Sequence, residues 1–363
     1  MNEAPNKGWS RLNQLSVLVV EDNAFIRSVL AGALRTLGVG TVHAATNGAD
    51  AIRFFEARKA ALPPGVSPVD VLITDLVMPE VDGLMLLRWI RSSPKSPDKF
   101  LPVLMLSGAA DRHYVEQARD LGATDFLAKP FSAHTVSNRL LLAIARPRRF
   151  VLANGYFGPD RRRANRPVQM DCRMISEREV LVVHSQSKPV GLDRFPVVHF
   201  ELPNRLGAKA GIGPRDPVPT LPESVLEVAE AEIQERAGDY ATWIAAEVDE
   251  MARRVDRLGA ESRHVAALVA QINRSAHEMR GQGGIFGYPL ITHIAKSLYE
   301  ATSGSLAVVT PNEQLLFKAH VDAIKAVMHG RISGDGGTTG QQLLASLEVA
   351  KRKYAKAAEA GEG

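Results

Sequence analysis

A single cysteine, Cys172, is all the thiol chemistry that this 363-residue chain has, so no disulfide can form within it and a reducing compartment is expected. No apolar run approaches the roughly 20 residues that a membrane-crossing helix requires. The opening residues, MNEAPNKGWSRLNQ, contain no apolar core of the secretory type. A cytoplasmic location without a membrane partner is therefore expected. Excess charge is also scarce: 44 Lys and Arg face 40 Asp and Glu, a net charge of +4. The basic residues are not gathered into one stripe, so nothing points clearly to nucleic acid. What the chain does have is apolar material, 45% of its residues, enough for substantial cores. At roughly 100–200 residues per domain, two domains with connecting segments are expected.

The rest of the sequence is organised around residues 69–83, VDVLITDLVMPEVDG. Val69, Val71, Leu72 and Ile73 lead to one acid, Asp75, then to Met78-Pro79 and Asp82-Gly83. A short apolar run of this kind suits a strand buried on both faces of a parallel sheet. An acid at its carboxyl end lies where open α/β sheets bind ligands, although an Asp there can also cap the following helix. The neighbouring sequence decides between the two. Strand runs 17–20, 42–45, 69–75, 102–106 and 125–128 alternate with helical patterns over 25–37, 49–61, 84–90, 114–121 and 135–145. Five βα units predict an open parallel sheet with helices on both faces.

The strand ends then form a set. Glu21 and Asp22 follow the first strand, Asp75 the third, Ser107 the fourth and Lys129 the fifth. Three carboxylates brought together repel unless a cation sits among them, and an oxygen-rich site of few carboxylates suits Mg²⁺. Lys129 adds a fixed positive charge and Ser107 a hydroxyl. Such parts support attack by a carboxylate on a phosphoryl donor.

These five pieces, in this order, resemble the receiver domain of two-component response regulators over residues 15–147. The resemblance implies a flavodoxin-like (βα)5 fold, with Asp75 as phosphoacceptor. It also implies Mg²⁺ held by Glu21, Asp22, Asp75 and the backbone carbonyl of Val77. Ser107 and Lys129 would contact the phosphoryl group, and Phe126 would occupy an aromatic switch position, unless it is simply a core aromatic. Val77 and Ala109 carry no polar group to orient a water, so a comparatively long-lived acyl phosphate is expected.

Residues 1–14 read as an N-terminal extension and 148–222 as a basic linker. Two β-like runs within the linker, 179–184 and 196–202, could pair as a hairpin, and 207–222 reads as flexible. Arg162 and Arg166 have the spacing that begins a cyclic-dinucleotide-binding barrel, but the second half of that signature is absent, so a solvated connector is preferred. From residue 223 to 336 the period becomes helical, predicting an all-α bundle, and 337–363 reads as a charged helical tail that packs loosely.

Within that bundle His277 is followed by Arg280, Gly281 and Gly287. Positions three and four along lie on the histidine's helix face, where a cation can hold phosphoryl oxygens and a glycine lets a partner approach. This resembles the histidine phosphotransfer (HPt) module, with Arg280 in place of its lysine. His264, His293, His320 and His329 lack the pattern and are taken as structural. The combined expectation is a phosphoryl acceptor and carrier rather than an enzyme. Its Asp75 exchanges a phosphoryl group with His277. The expected partners are a sensor histidine kinase or phosphotransfer protein and a downstream receiver or regulator. The rival reading makes the bundle a non-transferring docking or dimerisation module. A phosphatase of the haloacid-dehalogenase kind fails, because the first strand lacks its Asp-x-Asp.

Overall fold

In the computed structural model the described residues are 11–359, apart from 60, 64–65, 109–111, 154, 162–179, 185–190, 260–263, 284–286, 304–307 and 333. The chain divides into two compact units, one holding most of residues 1–232 and the other most of 233–363. Among the described residues, no helix is long and apolar enough to cross a membrane.

Alternating strand and helix signals in the first unit produce β1 (Ser16–Val20), α1 (Ala24–Thr36), β2 (Thr41–Ala45), α2 (Gly48–Lys59) and β3 (Val71–Asp75). They continue as α3 (Gly83–Ser92), β4 (Val103–Gly108), α4 (Arg112–Asp120), β5 (Asp125–Lys129) and α5 (Ala133–Ala145). The five strands form one sheet in the order β2-β1-β3-β4-β5, the order of flavodoxin-like doubly wound folds. Val17 to Val20 of β1 stand beside Val71 to Thr74 of β3 in parallel register. Every residue of β3 is buried, as expected for a central strand covered on both faces.

Local signals set the helix starts. Asn23 caps α1, its side chain accepting from the Phe25 and Ile26 N–H groups, and Asp82 caps α3 by accepting from Met85 N–H. Ser132 and Thr135 close a reciprocal capping box on α5.

Beyond α5 the structure departs from the expected linker. β6 (Phe150–Ala153), β7 (Tyr156–Pro159), β8 (Val180–His184) and β9 (Val197–Glu201) form a second, four-stranded sheet in the order β7-β6-β9-β8. The two anticipated runs are both strands, but β8 and β9 pair in parallel, so they are not a hairpin. The stretch joining them, residues 185–196, is long enough for the crossover that parallel pairing requires. The sheet does not stand alone. Phe150, Phe157 and Phe200 surround Phe100, which precedes β4, with ring centroids 5.0, 5.3 and 5.5 Å from it. That aromatic cluster supplies the neighbour that an isolated small sheet would need.

Part of the segment expected to be flexible is also ordered. α6 (Arg205–Ala210) is capped by Asn204, whose Nδ2 donates to Ile144 O at 2.9 Å at the end of α5. The 35-residue helix α7 (Glu223–Arg257) then begins in the first unit. There Glu230 Oε2 accepts from Ala133 N–H, at the start of α5, at 2.8 Å.

The second unit is helical, as its periodicity predicts. It contains the later part of α7 with α8 (Val265–Gln282), α9 (Pro289–Ala301), α10 (Pro311–His329) and α11 (Gly337–Glu359). Buried residues recur at helical spacing, including Ile244, Val248, Met251 and Val255 on α7 and Val265, Leu268, Val269, Ile272, Ala276 and Met279 on α8. Thr310 and Glu313 close a capping box on α10, with Pro311 in the first turn. His320 is fully buried, bonded through Nδ1 to Leu316 O at 2.7 Å and through Nε2 to Ser297 Oγ at 3.0 Å. Burial pushes its imidazole below its ordinary value. The tail packs more firmly than expected: Leu347 of α11 is buried, and α11 lies against α10.

Candidate functional site

The parallel sheet brings three acids together. β1 hands over to Glu21 and Asp22, while β3, its hydrogen-bonded neighbour, ends on Asp75. One carboxylate oxygen from each of the three lies within 4.8 Å of the others. Glu21 and Asp75 are buried and Asp22 is half-buried. These are hard oxygen donors, few in number and adjacent to one another, which suits a small divalent cation that keeps part of its water shell. The residues present therefore fit a metal site.

Short-range contacts hold Asp75 in place. Asp75 Oδ1 accepts from Leu76 N–H at 2.8 Å, and Thr74 Oγ1 donates to Asp75 O at 3.2 Å. Gly83 N–H donates to Leu76 O at 3.0 Å, folding the loop back onto the strand end. A Cβ at position 83 would lie 2.0 Å from Asp75 O. This close approach explains the glycine after Asp82. Gly83→Ala is expected to destabilise the first unit by roughly 1–3 kcal/mol through overpacking. It should also displace Asp75, lowering divalent-cation affinity. A cation titration together with a denaturant melt checks this, and an unchanged affinity would separate Gly83 from the site.

Two more of the predicted residues fall on the same edge of the sheet. Ser107 is the penultimate residue of β4 and Lys129 the last of β5, and both are buried. Phe126 and Val77 are partly buried and packed against the core of the first unit. Ala109, Arg162 and Arg166 lie outside the described residues.

In the second unit His277 lies on α8, half-buried. Arg280 Nη2 is 3.0 Å from His277 Nδ1, so the cation three residues along does reach the imidazole. Gly281 is helical and buried, and Gly287 takes a positive φ of 80° in the turn before α9. Sequence reasoning missed Tyr299 on α9. Its ring lies 5.4 Å from the imidazole and 4.6 Å from the Arg280 guanidinium carbon. Two residues before His277, Ser275 Oγ donates to Glu247 and accepts from Arg254, tying α8 to α7. No spacing rule relates residues on three helices, so the sequence carried no signal for these contacts.

Comparison with known proteins places the first unit. Residues 17–141 match the response regulator receiver domain family. The transcriptional regulatory protein PdtaR of Mycobacterium tuberculosis is 34% identical over 139 residues, 38% of this chain and 61% of that protein. This chain thus spans less than two thirds of that relative's length. The chemotaxis protein CheY-3 of Vibrio cholerae is 29% identical over 126 residues, 35% of this chain and 88% of that protein. Among solved structures, that of Vibrio cholerae CheY4 is 28% identical. It covers 35% of this chain and 95% of its own, with a TM-score of 0.30. The N-terminal part of the chain is a response regulator receiver domain, a module of two-component signalling.

Proposed function

Starting from a receiver domain at residues 17–141, we propose that the protein is a phosphoryl acceptor and carrier of a two-component phosphorelay. Asp75 is the phosphoacceptor, and Mg²⁺ is held by Glu21, Asp22, Asp75 and the carbonyl of Val77. The observation that carries this reading is the set of three carboxylates within 4.8 Å at the carboxyl edge of the sheet. When bound, the cation neutralises charge on the phosphoryl oxygens and the acceptor. An Asp75 oxygen attacks phosphorus, and the donor departs with the electron pair of its own bond to phosphorus. Lys129 offers a second positive charge and Ser107 a hydroxyl donor.

The donor is a phosphohistidine on a sensor kinase or phosphotransfer protein. The second station is His277, to or from which the group passes, in the same chain or in another. The Arg280 guanidinium, already within hydrogen-bond distance of the imidazole, supports this assignment by keeping beside the ring a cation that can pair with phosphoryl oxygens. The aspartyl and imidazole phosphates are both high-energy species, so flow in either direction is feasible.

Labelling with radiolabelled acetyl phosphate, and then with a phosphorylated histidine carrier, tests the relay. The expected result is two kinds of label. One is base-labile and lost in Asp75→Asn. The other is acid-labile and lost in His277→Gln. Base-labile label alone, unaffected by His277→Gln, would leave a phosphorylation-switched receiver whose helical unit only docks or dimerises.

A further inference from the structure

We propose that Arg280 is a positioning residue that latches the His277 imidazole in its Nε2-protonated tautomer, and that phosphoryl transfer waits for this latch to open. The proposal rests on the reading of His277 as a phosphoryl carrier, and it concerns what sets the pace of that step.

A guanidinium has only donors. With Arg280 Nη2 at 3.0 Å from His277 Nδ1, that nitrogen must present its lone pair to the arginine. A neutral imidazole carries one proton, which is then on Nε2. Neither nitrogen is a ready nucleophile in this arrangement. Nδ1 has its lone pair committed to Arg280, and Nε2 has a proton where the lone pair would be.

Tyr299 holds the latch shut. The guanidinium carbon sits 4.6 Å from the Tyr299 ring centroid, within range of a cation–π contact, and the imidazole packs 5.4 Å from the same ring. The end of α9 is itself pinned to α8. Asn273 Nδ2 donates to Tyr299 O and to Thr302 Oγ1, each at 2.9 Å. Asn273 lies one turn before His277 on α8, so the platform beneath Arg280 is fixed by the helix that carries the histidine. Arginine suits this role better than lysine. Its flat, delocalised cation stacks on an aromatic face, whereas an ammonium on a flexible stem is less readily held there.

An arriving phosphoryl group opens the latch by offering oxygens that pair with a guanidinium more strongly than a neutral imidazole does. Once Nη2 leaves, solvent moves the ring proton from Nε2 to Nδ1. The Nε2 lone pair then attacks the phosphorus of an aspartyl phosphate. The N–P bond forms, the P–O bond to the carboxyl group breaks, and the carboxylate departs with that electron pair. The proton on Nδ1 stays with the phosphoimidazole until solvent removes it.

The test uses the full chain, the wild type and two variants, Arg280→Lys and Tyr299→Leu, each unlatching the ring differently. Two-bond proton–nitrogen correlation spectra at neutral pH report the His277 tautomer, with the resonance assigned by its loss in His277→Gln. The wild type should show Nδ1 as acceptor and Nε2 as the protonated nitrogen, and both variants should show an averaged ring. Arg280→Lys keeps a cation for the phosphoryl oxygens. Its acid-labile labelling from acetyl phosphate should start roughly fivefold faster, the factor corresponding to one ordinary hydrogen bond. A wild-type ring already averaged, or Arg280→Lys labelling no faster than wild type, overturns the latch. Absence of acid-labile label from every chain, with the wild-type Nε2–H tautomer present, overturns the transfer reading and leaves the contact as a structural one.

Discussion

Asp75→Asn is expected to reduce base-labile labelling by acetyl phosphate on the order of 10²-fold or more, the scale seen when an enzyme loses its nucleophile. An amide oxygen is a far weaker nucleophile than a carboxylate and cannot form a stable acyl phosphate. The substitution also removes one of the three carboxylates that lie within 4.8 Å of one another. Their mutual repulsion then falls, so the variant should melt no lower than wild type without added cation. A folded and unlabelled protein is therefore the expected outcome, which separates loss of chemistry from loss of structure. Asp22→Asn provides the contrast. It weakens the metal site but leaves the nucleophile, so labelling should slow and recover as Mg²⁺ is raised, and a chelator should abolish it in the wild type. Undiminished base-labile label in Asp75→Asn would move the acceptor elsewhere.

The site was legible in the sequence because parallel-sheet topology converts strand order into proximity. Once residues 17–20 and 69–75 read as strands of one parallel sheet, Glu21, Asp22 and Asp75 were expected to converge at one edge. No long-range pairing needed to be guessed, since βα units fix both the hand and the side. The four-stranded sheet was harder to read for three reasons. Its strands are only four or five residues long, β8 and β9 pair in parallel, and its packing partner Phe100 belongs to a loop of the receiver. One local signal was available: the sequence Asn-Gly between FVLA and YFGP is a dipeptide that favours hairpins, and β6 and β7 do pair antiparallel. The contact between His277 and Arg280 follows from helical spacing, but Tyr299 lies beyond a turn whose geometry no periodicity defines.

The largest loss of stability is expected from Arg91, a residue with no part in the proposed relay. It lies on α3 with 4% of its surface exposed, yet it carries a charge. Burial pulls its guanidinium down to about 10, opposed first by the nearby Asp98, so at neutral pH it remains protonated. Four acceptors surround it. Nε donates to Gly122 O at 2.9 Å, and Nη1 donates to Lys99 O at 2.9 Å and Leu101 O at 2.7 Å. Nη2 lies 3.4 Å from Thr124 Oγ1. The Phe150 ring of the second sheet lies 5.2 Å from the guanidinium carbon. One side chain thus ties α3, the loop before β4, the loop before β5 and the second sheet together. Arg91→Met keeps most of the apolar stem but leaves buried carbonyls without a donor, and is expected to destabilise the first unit by roughly 3–5 kcal/mol. Arg91→Lys restores a charge but not the planar fork, and should recover only part of the loss. Denaturant melts followed at Trp89, two residues away on α3, would measure both. A loss below about 1 kcal/mol in Arg91→Met, within the range of ordinary substitutions, would mean that water satisfies those carbonyls. The second sheet would then be held by its phenylalanines alone.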